Sequence, residues 1–354
     1  MTAASPPAPR RAAVTVLGRG HGAAAQARAA YGALRARVAD PSGVRFTEYV
    51  TVAAPEAHFE LAAARAAMFP QASGVPRMVV VESLPDDRAL LAVHASPGAP
   101  DARPDGSVRL PTVLPLDGHG TVVHRDDFVG QYAYCLRRAG KFLKGAGLSL
   151  DHAVTTFDYT TPATRRAYPQ CAGPRRELLG GAGVFPGAGG ILMSRLHAPG
   201  VLVALDVTAS RHPLTAVNPG WRRYDTLTYS PGVLAGRTLY MSGFAALDME
   251  TQQALHAGDP VAQTETVLRA VLEVVAEAGG TAADLASLEE YLCPPAWGAR
   301  PALAAARARV LGAAARPALT SVGCATLLRR EFLTEVFPTA VLADAPDPAE
   351  EATR

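Results

Sequence analysis

Glu335 is the residue in this chain best placed by type and neighbours to move a proton. It falls in Thr334-Glu335-Val336-Phe337, which reads as a strand, so its side chain shares a face with Leu333 and Phe337. A carboxyl between two large apolar side chains is desolvated once that face is covered. Desolvation favours the neutral form and suits the group to general acid or base work; the competing reading is an exposed edge-strand glutamate. Ser242-Gly243, at the end of another strand, could offer a hydroxyl and backbone N–H groups to a carbonyl or carboxylate oxygen. The same dipeptide also suits a plain turn in which glycine relieves crowding. Tyr229 reads as an aromatic lid with a hydrogen-bonding tip, or as a rim packing residue. Cys324 has no evident partner histidine and reads more readily as a buried thiol than as a nucleophile.

The elements that must position these residues come in copies. Asp259, Gln263, Leu268, Arg269, Gly279, Tyr291 and Pro294 each lie 132 residues beyond Asp127, Gln131, Leu136, Arg137, Gly147, Tyr159 and Pro162. A looser third copy precedes both: a helix over Gln26–Val38, a strand over Arg45–Val52, and Pro55. The pattern predicts three repeats of one small α+β unit. In the last copy, Arg237–Ser242 alternates as a strand and Asp248–Gln252 carries turn chemistry. Gln263–Ala278 has one broad apolar helical face and stops at Gly279-Gly280. Leu285–Cys293, the Ala-rich helix Arg300–Leu311, and two strands, Thr320–Leu328 and Phe332–Leu342, complete a sheet with helices on one face. The middle copy is expected to follow the same order. The resulting division is a tail (1–10), a truncated unit (11–97), a linker (98–107), a middle unit (108–211), a linker (212–225), a C-terminal unit (226–343) and a tail (344–354). The positions corresponding to Glu335 are Ala204 and Ala92, so chemistry is expected in one of three clefts.

Composition narrows the partners. With 49% apolar and 19% charged residues the chain is an ordinary globular sequence, and a formal net charge of +2 gives no footprint for nucleic acid or anionic membrane. The four cysteines are scattered and the nine histidines do not cluster at ligand spacing, so neither a disulfide framework nor a metal site is expected. No secretory leader or membrane-length apolar run is evident, and a cytoplasmic location is expected. Gly18-Arg19-Gly20-His21-Gly22-Ala23 superficially matches a dinucleotide loop, but no second strand ending in a ribose-binding acid follows, so no nucleotide cofactor is expected.

The strings Tyr229-Ser230-Pro231, Leu239-Tyr240-Met241-Ser242-Gly243, Ala246-Leu247-Asp248, Ala262-Gln263-Thr264-Glu265, Glu277-Ala278-Gly279-Gly280 and Pro317-Ala318-Leu319-Thr320-Ser321-Val322-Gly323 resemble the RidA (YjgF/YER057c/UK114) family. That resemblance implies small chorismate-mutase-like α+β units that trimerise with active sites in the clefts between them. Three such units in one chain would form an intramolecular pseudo-trimer, monomeric or part of a higher oligomer. It further implies hydrolysis of reactive enamines and imines without a metal or organic cofactor, with Tyr229, Ser242 and Gly243 at the pocket and Glu335 positioning or activating water. One position departs from the pattern: Leu319 stands where typical members carry the arginine that clamps a substrate carboxylate. Arg77, Arg222 and Arg223 are the candidate replacements, with Cys324 beside the cleft. The chorismatases are similar in holding a RidA-like core within a longer chain. A chorismatase-like or cyclising enzyme on an enolic metabolite, and a non-catalytic ligand-binding protein, are the competing expectations.

Overall fold

The computed structural model describes residues 14–38, 44–72, 75–97, 106–181 and 183–343. Both expected tails, and most of the first expected linker, lie outside these residues. The first unit runs β1 (Val14–Leu17), α1 (Ala23–Arg35), β2 (Val44–Thr51), α2 (Ala57–Met68), β3 (Arg77–Val81) and β4 (Leu91–Pro97). The middle unit runs β5 (Ser107–Arg109), α3 (Phe128–Gly145), β6 (Ala153–Thr160), α4 (Ala172–Leu178), β7 (Gly187–Leu192) and β8 (Val203–Ser210). Then come β9 (Leu214–Val217), β10 (Gly232–Ala235), β11 (Thr238–Met241), β12 (Phe244–Ala245), α5 (Pro260–Glu277) and β13 (Leu285–Leu292). The chain closes with α6 (Pro294–Gly298), α7 (Arg300–Leu311), β14 (Ala318–Gly323), β15 (Thr326–Leu327) and β16 (Thr334–Val341).

Three mixed sheets result, and they share one order: β3-β2-β4-β1, β7-β6-β8-β5 and β14-β13-β16-β11. In each, the first pair is parallel and the next two are antiparallel. The registers also agree, because Tyr49 lies opposite Ala92, Tyr159 opposite Ala204 and Tyr291 opposite Glu335.

The period of two sorts side chains between two cores. Val50, Leu91 and Val93 face helices α1 and α2, while Tyr49 and Ala92 point the other way. The same division sends Leu205 and Val207 toward α3, and Val336 toward α5. Tyr49, Tyr159, Tyr291, Val79, Ile191 and Val322 meet in one central core that draws on all three sheets.

The repeated helix-entry signature has a physical purpose. Asp127 Oδ1 caps α3 by accepting from Gly130 N at 2.8 Å, and Asp259 Oδ1 caps α5 by accepting from Val261 N and Ala262 N at 3.0 Å. The glutamine that follows is buried and clamps the segment leading into the sheet's third strand. Gln263 accepts from Leu333 N and donates to Glu331 O, Gln131 accepts from Leu202 N and donates to Gly200 O, and Gln26 accepts from Leu90 N and donates to Arg88 O, all at 2.7–2.9 Å. Replacing any of the three by alanine leaves buried backbone groups unpaired, at about 1–3 kcal/mol.

Two expectations need correction. The second linker is structured: β9 lies within it and extends the C-terminal sheet by pairing with β10, because Leu214 and Val217 find apolar cover there. The middle unit departs from the shared order where an Ala-rich helix was expected. Short 3-10 turns and the seven-residue α4 occupy that stretch, whose Pro162, Pro169, Gly173 and Pro174 disfavour a long helix. No helix among the described residues is long and apolar enough to cross a membrane.

Candidate functional site

The shortened helix leaves space between the middle and C-terminal units. The glycine-rich strand β7 lies against the end of β11 so closely that a Cβ on Gly187 would stand 3.1 Å from the Met241 carbonyl carbon. The two strands are stitched together: Gly243 N donates to Ala188 O, and Ala188 N donates to Ser242 Oγ, both at 2.9 Å. A Cβ on Gly189 would overlap the Phe337 ring, and one on Gly190 would overlap the Tyr168 hydroxyl. These close approaches need glycine, and they form one wall of a cavity of about 480 Å³.

Glu335 lines this cavity and is only 6% exposed. It follows from the registers that β16 places it between Tyr291 and Ala245. Burial pushes its carboxyl up to about 8, and the Cys293 and Asp158 side chains add to the rise. At neutral pH the group is therefore protonated and can donate. Gly243 is the reason it has room, since a Cβ there would overlap Glu335 Oε1 and the Phe337 ring.

Five arginines line the same cavity: Arg165, Arg175, Arg176, Arg223 and Arg329. Four of them hold neutral groups. Arg223 donates to Tyr229 Oη at 3.1 Å and to Gln252 Oε1; Arg329 donates to Gln252 O at 2.5 Å; Arg165 donates to Thr326 Oγ1 at 2.9 Å and Leu327 O at 3.0 Å. Arg175 is buried and bonds Thr156 Oγ1 at 2.6 Å, Thr228 O at 2.9 Å and Tyr132 Oη at 3.0 Å. The Nε–H groups of Arg165 and Arg223 are buried without a partner. A cavity with unneutralised guanidinium groups and aromatic walls, among them Tyr224, Tyr229, Phe244 and Phe332, favours a small anion with an unsaturated or ring-like body.

The sequence-derived candidates divide into those in this cavity and those elsewhere. Glu335, Tyr229, Gly243 and Arg223 are brought together. Ser242 is fully buried behind the wall; its hydroxyl donates to Ser230 O at 2.6 Å and accepts from Ala188 N. The backbone N–H groups of Ser242 and Gly243 are likewise spent, on Pro231 O and Ala188 O. The oxyanion-type site expected from this dipeptide is thus replaced by a brace between strands. Cys324 is buried with its Sγ 3.7 Å from Cys293 Sγ, and this neighbour together with burial holds the Cys324 thiol up, in its unreactive protonated form. Arg222 is exposed on the short 3-10 turn Arg222–Asp225 and does not line the cavity.

Arg77 belongs to a different seam. It is buried between the first and middle units, where Nε donates to Asp206 Oδ2 at 2.6 Å, Nη2 to Tyr159 Oη at 2.8 Å and Nη1 to Glu289 Oε2 at 3.3 Å. Burial opposes its charge, but Asp206 and Glu289 hold the guanidinium well above the ordinary arginine range. Leu319 also lies away from the cavity: it is on β14, paired with Leu288, and 39% exposed. The strand that faces Glu335 is β7, where the register puts Ala188 at the equivalent position. The loss of arginine from β14 therefore has no bearing on this cavity.

Arg165, Tyr168, Arg175 and Arg329 were missed from sequence. A signal existed for the first three, because the 164–176 segment, Thr-Arg-Arg-Ala-Tyr-Pro-Gln-Cys-Ala-Gly-Pro-Arg-Arg, packs two arginine pairs and a tyrosine where the C-terminal unit has an Ala-rich helix.

Residues 223–342 match the family model described as Endoribonuclease L-PSP. Among solved structures, a member of the YjgF/YER057c/UK114 family from Mycobacterium tuberculosis is 22% identical, with a TM-score of 0.31, over 37% of this chain and 100% of its own. A protein of unknown function from Pseudomonas aeruginosa is 27% identical, with a TM-score of 0.33, over 38% of this chain and 96% of its own. A chorismatase is 16% identical with a TM-score of 0.56, over 93% of this chain and 98% of its own, a likeness of fold that runs nearly end to end. Residues 223–342 are thus similar to the Endoribonuclease L-PSP family, within a longer chain whose overall fold resembles that of a chorismatase.

Proposed function

We propose that the chain hydrolyses a small carboxylate with an electron-rich double bond, and that the enol ether of a ring-sized alcohol fits the cavity better than a three-carbon enamine. The observation that carries this reading is a protonated, buried Glu335 facing a cavity lined by five arginines. Glu335 transfers its proton to the double-bond carbon, leaving an oxocarbenium ion beside the new carboxylate. Water adds to the cationic carbon, and the hemiketal collapses to a ketone and an alcohol. The arginines hold the substrate carboxylate, and Tyr229, fixed by Arg223, closes the mouth. Each step uses the chain's own groups, with general acid catalysis contributing about 10²–10⁴ in rate.

The size of the cavity, its aromatic walls and the chorismatase-like fold favour the ring-sized substrate. The family match of residues 223–342 favours the second reading, hydrolysis of an enamine or imine, in which the same proton transfer gives an iminium ion and the product is ammonia. The two are separated by measuring pyruvate released from chorismate and ammonia released from freshly generated 2-aminoacrylate, each over the spontaneous rate. Pyruvate release lost in Glu335→Gln supports the first reading. Ammonia release alone supports the second, and neither product leaves a binding protein.

We further infer that the three units are diverged copies arranged as an intramolecular pseudo-trimer in which one seam keeps the chemistry. The common strand order and the central core shared by all three sheets support that arrangement.

A further inference from the structure

Each sheet carries an acid immediately before its central-core tyrosine: Glu48-Tyr49, Asp158-Tyr159 and Glu290-Tyr291. In two units this acid is a structural ion-pair partner for the second helix. Glu290 accepts from Arg307 of α7 at 2.6 Å and from Ser321, and Glu48 accepts from Tyr31 at 2.5 Å with Arg65 of α2 at 3.7 Å. The middle unit breaks the rule. Arg175 of α4 bonds instead to Thr156, Tyr132 and the Thr228 carbonyl.

Asp158 is left 1% exposed, with Oδ1 accepting from Tyr168 Oη at 3.2 Å and Oδ2 without any partner. A buried carboxyl with one oxygen unsatisfied is costly, and here it stands behind a cavity-lining tyrosine. The Tyr168 hydroxyl is pressed against Gly190, where no Cβ could fit, and its ring stacks on Phe128 with centroids 6.2 Å apart. The hydroxyl is thereby fixed at the cavity wall contributed by the middle unit, whereas Glu335 comes from the C-terminal unit.

We propose that Tyr168, positioned by Asp158, is the second proton-transfer group of this cavity, acting on the water while Glu335 acts on the substrate carbon. The proposal rests on the hydrolytic reading above. As water attacks the cation formed by Glu335, it gives a proton to Tyr168, whose own proton passes to Asp158. On collapse of the hemiketal the proton returns by the same route to the departing alcohol oxygen, and the hemiketal hydroxyl reprotonates Glu335. Substrate and one water become two products, and both acids are restored.

Proton inventory supports this division. Burial pushes Asp158 up to about 7, against the lowering effects of Tyr168, Arg175 and Tyr132, and the charge of Asp158 adds to the rise of Glu335. Near pH 7.5 the pair holds one proton, mostly on Glu335. The other titratable or charged groups around Asp158 are Tyr132 of α3, Cys171 of the 3-10 turn before α4, and Arg175 of α4.

The test uses the full chain labelled with ¹³C at aspartate and glutamate carboxyls, with Asp158→Asn and Glu335→Gln to assign the resonances. The expected result is a midpoint near 7 for Asp158, and a midpoint near 8 for Glu335 that falls in Asp158→Asn, where the second charge is gone. An Asp158 midpoint near 4, or a Glu335 midpoint indifferent to Asp158→Asn, overturns the proposal whether or not a substrate is turned over. With the substrate identified by pyruvate or ammonia release, Tyr168→Phe keeps the ring stack but is expected to lower kcat about 100-fold with KM within about twofold. Asp158→Glu is expected to recover part of the activity lost in Asp158→Asn. Unchanged kcat in Tyr168→Phe also overturns it. If neither product forms in the wild type, the reaction assignment fails while the carboxyl titration still decides the pair.

Discussion

The seam holding Glu335 and the seam holding Arg77 are built from the same two strand positions with opposite chemistry. Between the first and middle units, Arg77 of β3 meets Asp206 of β8 in a 2.6 Å ion pair. Between the middle and C-terminal units, Gly189 of β7 meets Phe337 of β16. The registers make these pairs equivalent, because Arg77 and Gly189 lie beside Thr47 and Phe157, and Asp206 and Phe337 lie beside Phe157 and Glu289. At the third seam the same positions hold Thr320 and His94, whose Oγ1 and Nδ1 are 3.4 Å apart. A guanidinium and its carboxylate fill one seam and fix it; a glycine and a phenyl ring leave the other open beside Glu335. A difference at one pair of positions thus separates a filled seam from an open one.

The largest expected effect is on chemistry at the open seam. Glu335→Gln keeps the shape but cannot donate, and turnover is expected to fall about 10²–10⁴-fold in the pyruvate or ammonia assay. At the filled seam the same kind of change acts on stability. Arg77→Met leaves Asp206 buried without its counter-ion, held by Thr112 Oγ1 at 2.6 Å, and chemical denaturation is expected to register a loss of about 3–5 kcal/mol, with part recovered in Arg77→Met/Asp206→Leu. A Met variant as stable as the wild type would break the comparison.

Smaller effects sharpen it. Glu335 has a native pKa of about 8 against an ordinary 4.5, so the folded state binds the proton more tightly than the unfolded state. The stability contributed by the neutral carboxyl is full below pH 4.5 and is lost progressively as pH rises to about 8. Glu335→Gln should therefore gain on the wild type by roughly 2–4 kcal/mol between pH 5 and pH 8.5, as read from paired denaturation curves. Gly243→Ala drives a methyl into Phe337 and Glu335 and is expected to cost about 1–3 kcal/mol and displace the acid. The control Gly120→Ala, at an exposed turn with φ +79° and open space around it, should show only the backbone cost of about 1 kcal/mol and full activity.

What the sequence revealed depended on whether a residue's role was local. Glu335 was legible because strand alternation alone puts it between Leu333 and Phe337, and the registers bear out Ala204 and Ala92 as its counterparts. The Asp and Gln of the helix entry repeat because each cap and clamp acts within its own unit. Seam chemistry was not legible, because which strand faces which is set by packing of units far apart in sequence. Arg77 reads as an available guanidinium until Asp206, 129 residues away, is seen to hold it. Ser242 reads as an oxygen ligand until Ala188 and Ser230 are found to use its hydroxyl. Leu319 raised a difficulty that disappears once β7 rather than β14 is opposite Glu335.

Glu335, with its carboxyl pushed up to about 8, is a neutral acid at physiological pH inside the seam between the middle and C-terminal units. A ¹³C-glutamate carboxyl titration, with Glu335→Gln identifying the resonance, measures this without any substrate. The expected midpoint for Glu335 is near 8. A midpoint near the ordinary 4.5 would place the carboxylate in contact with water and contradict it.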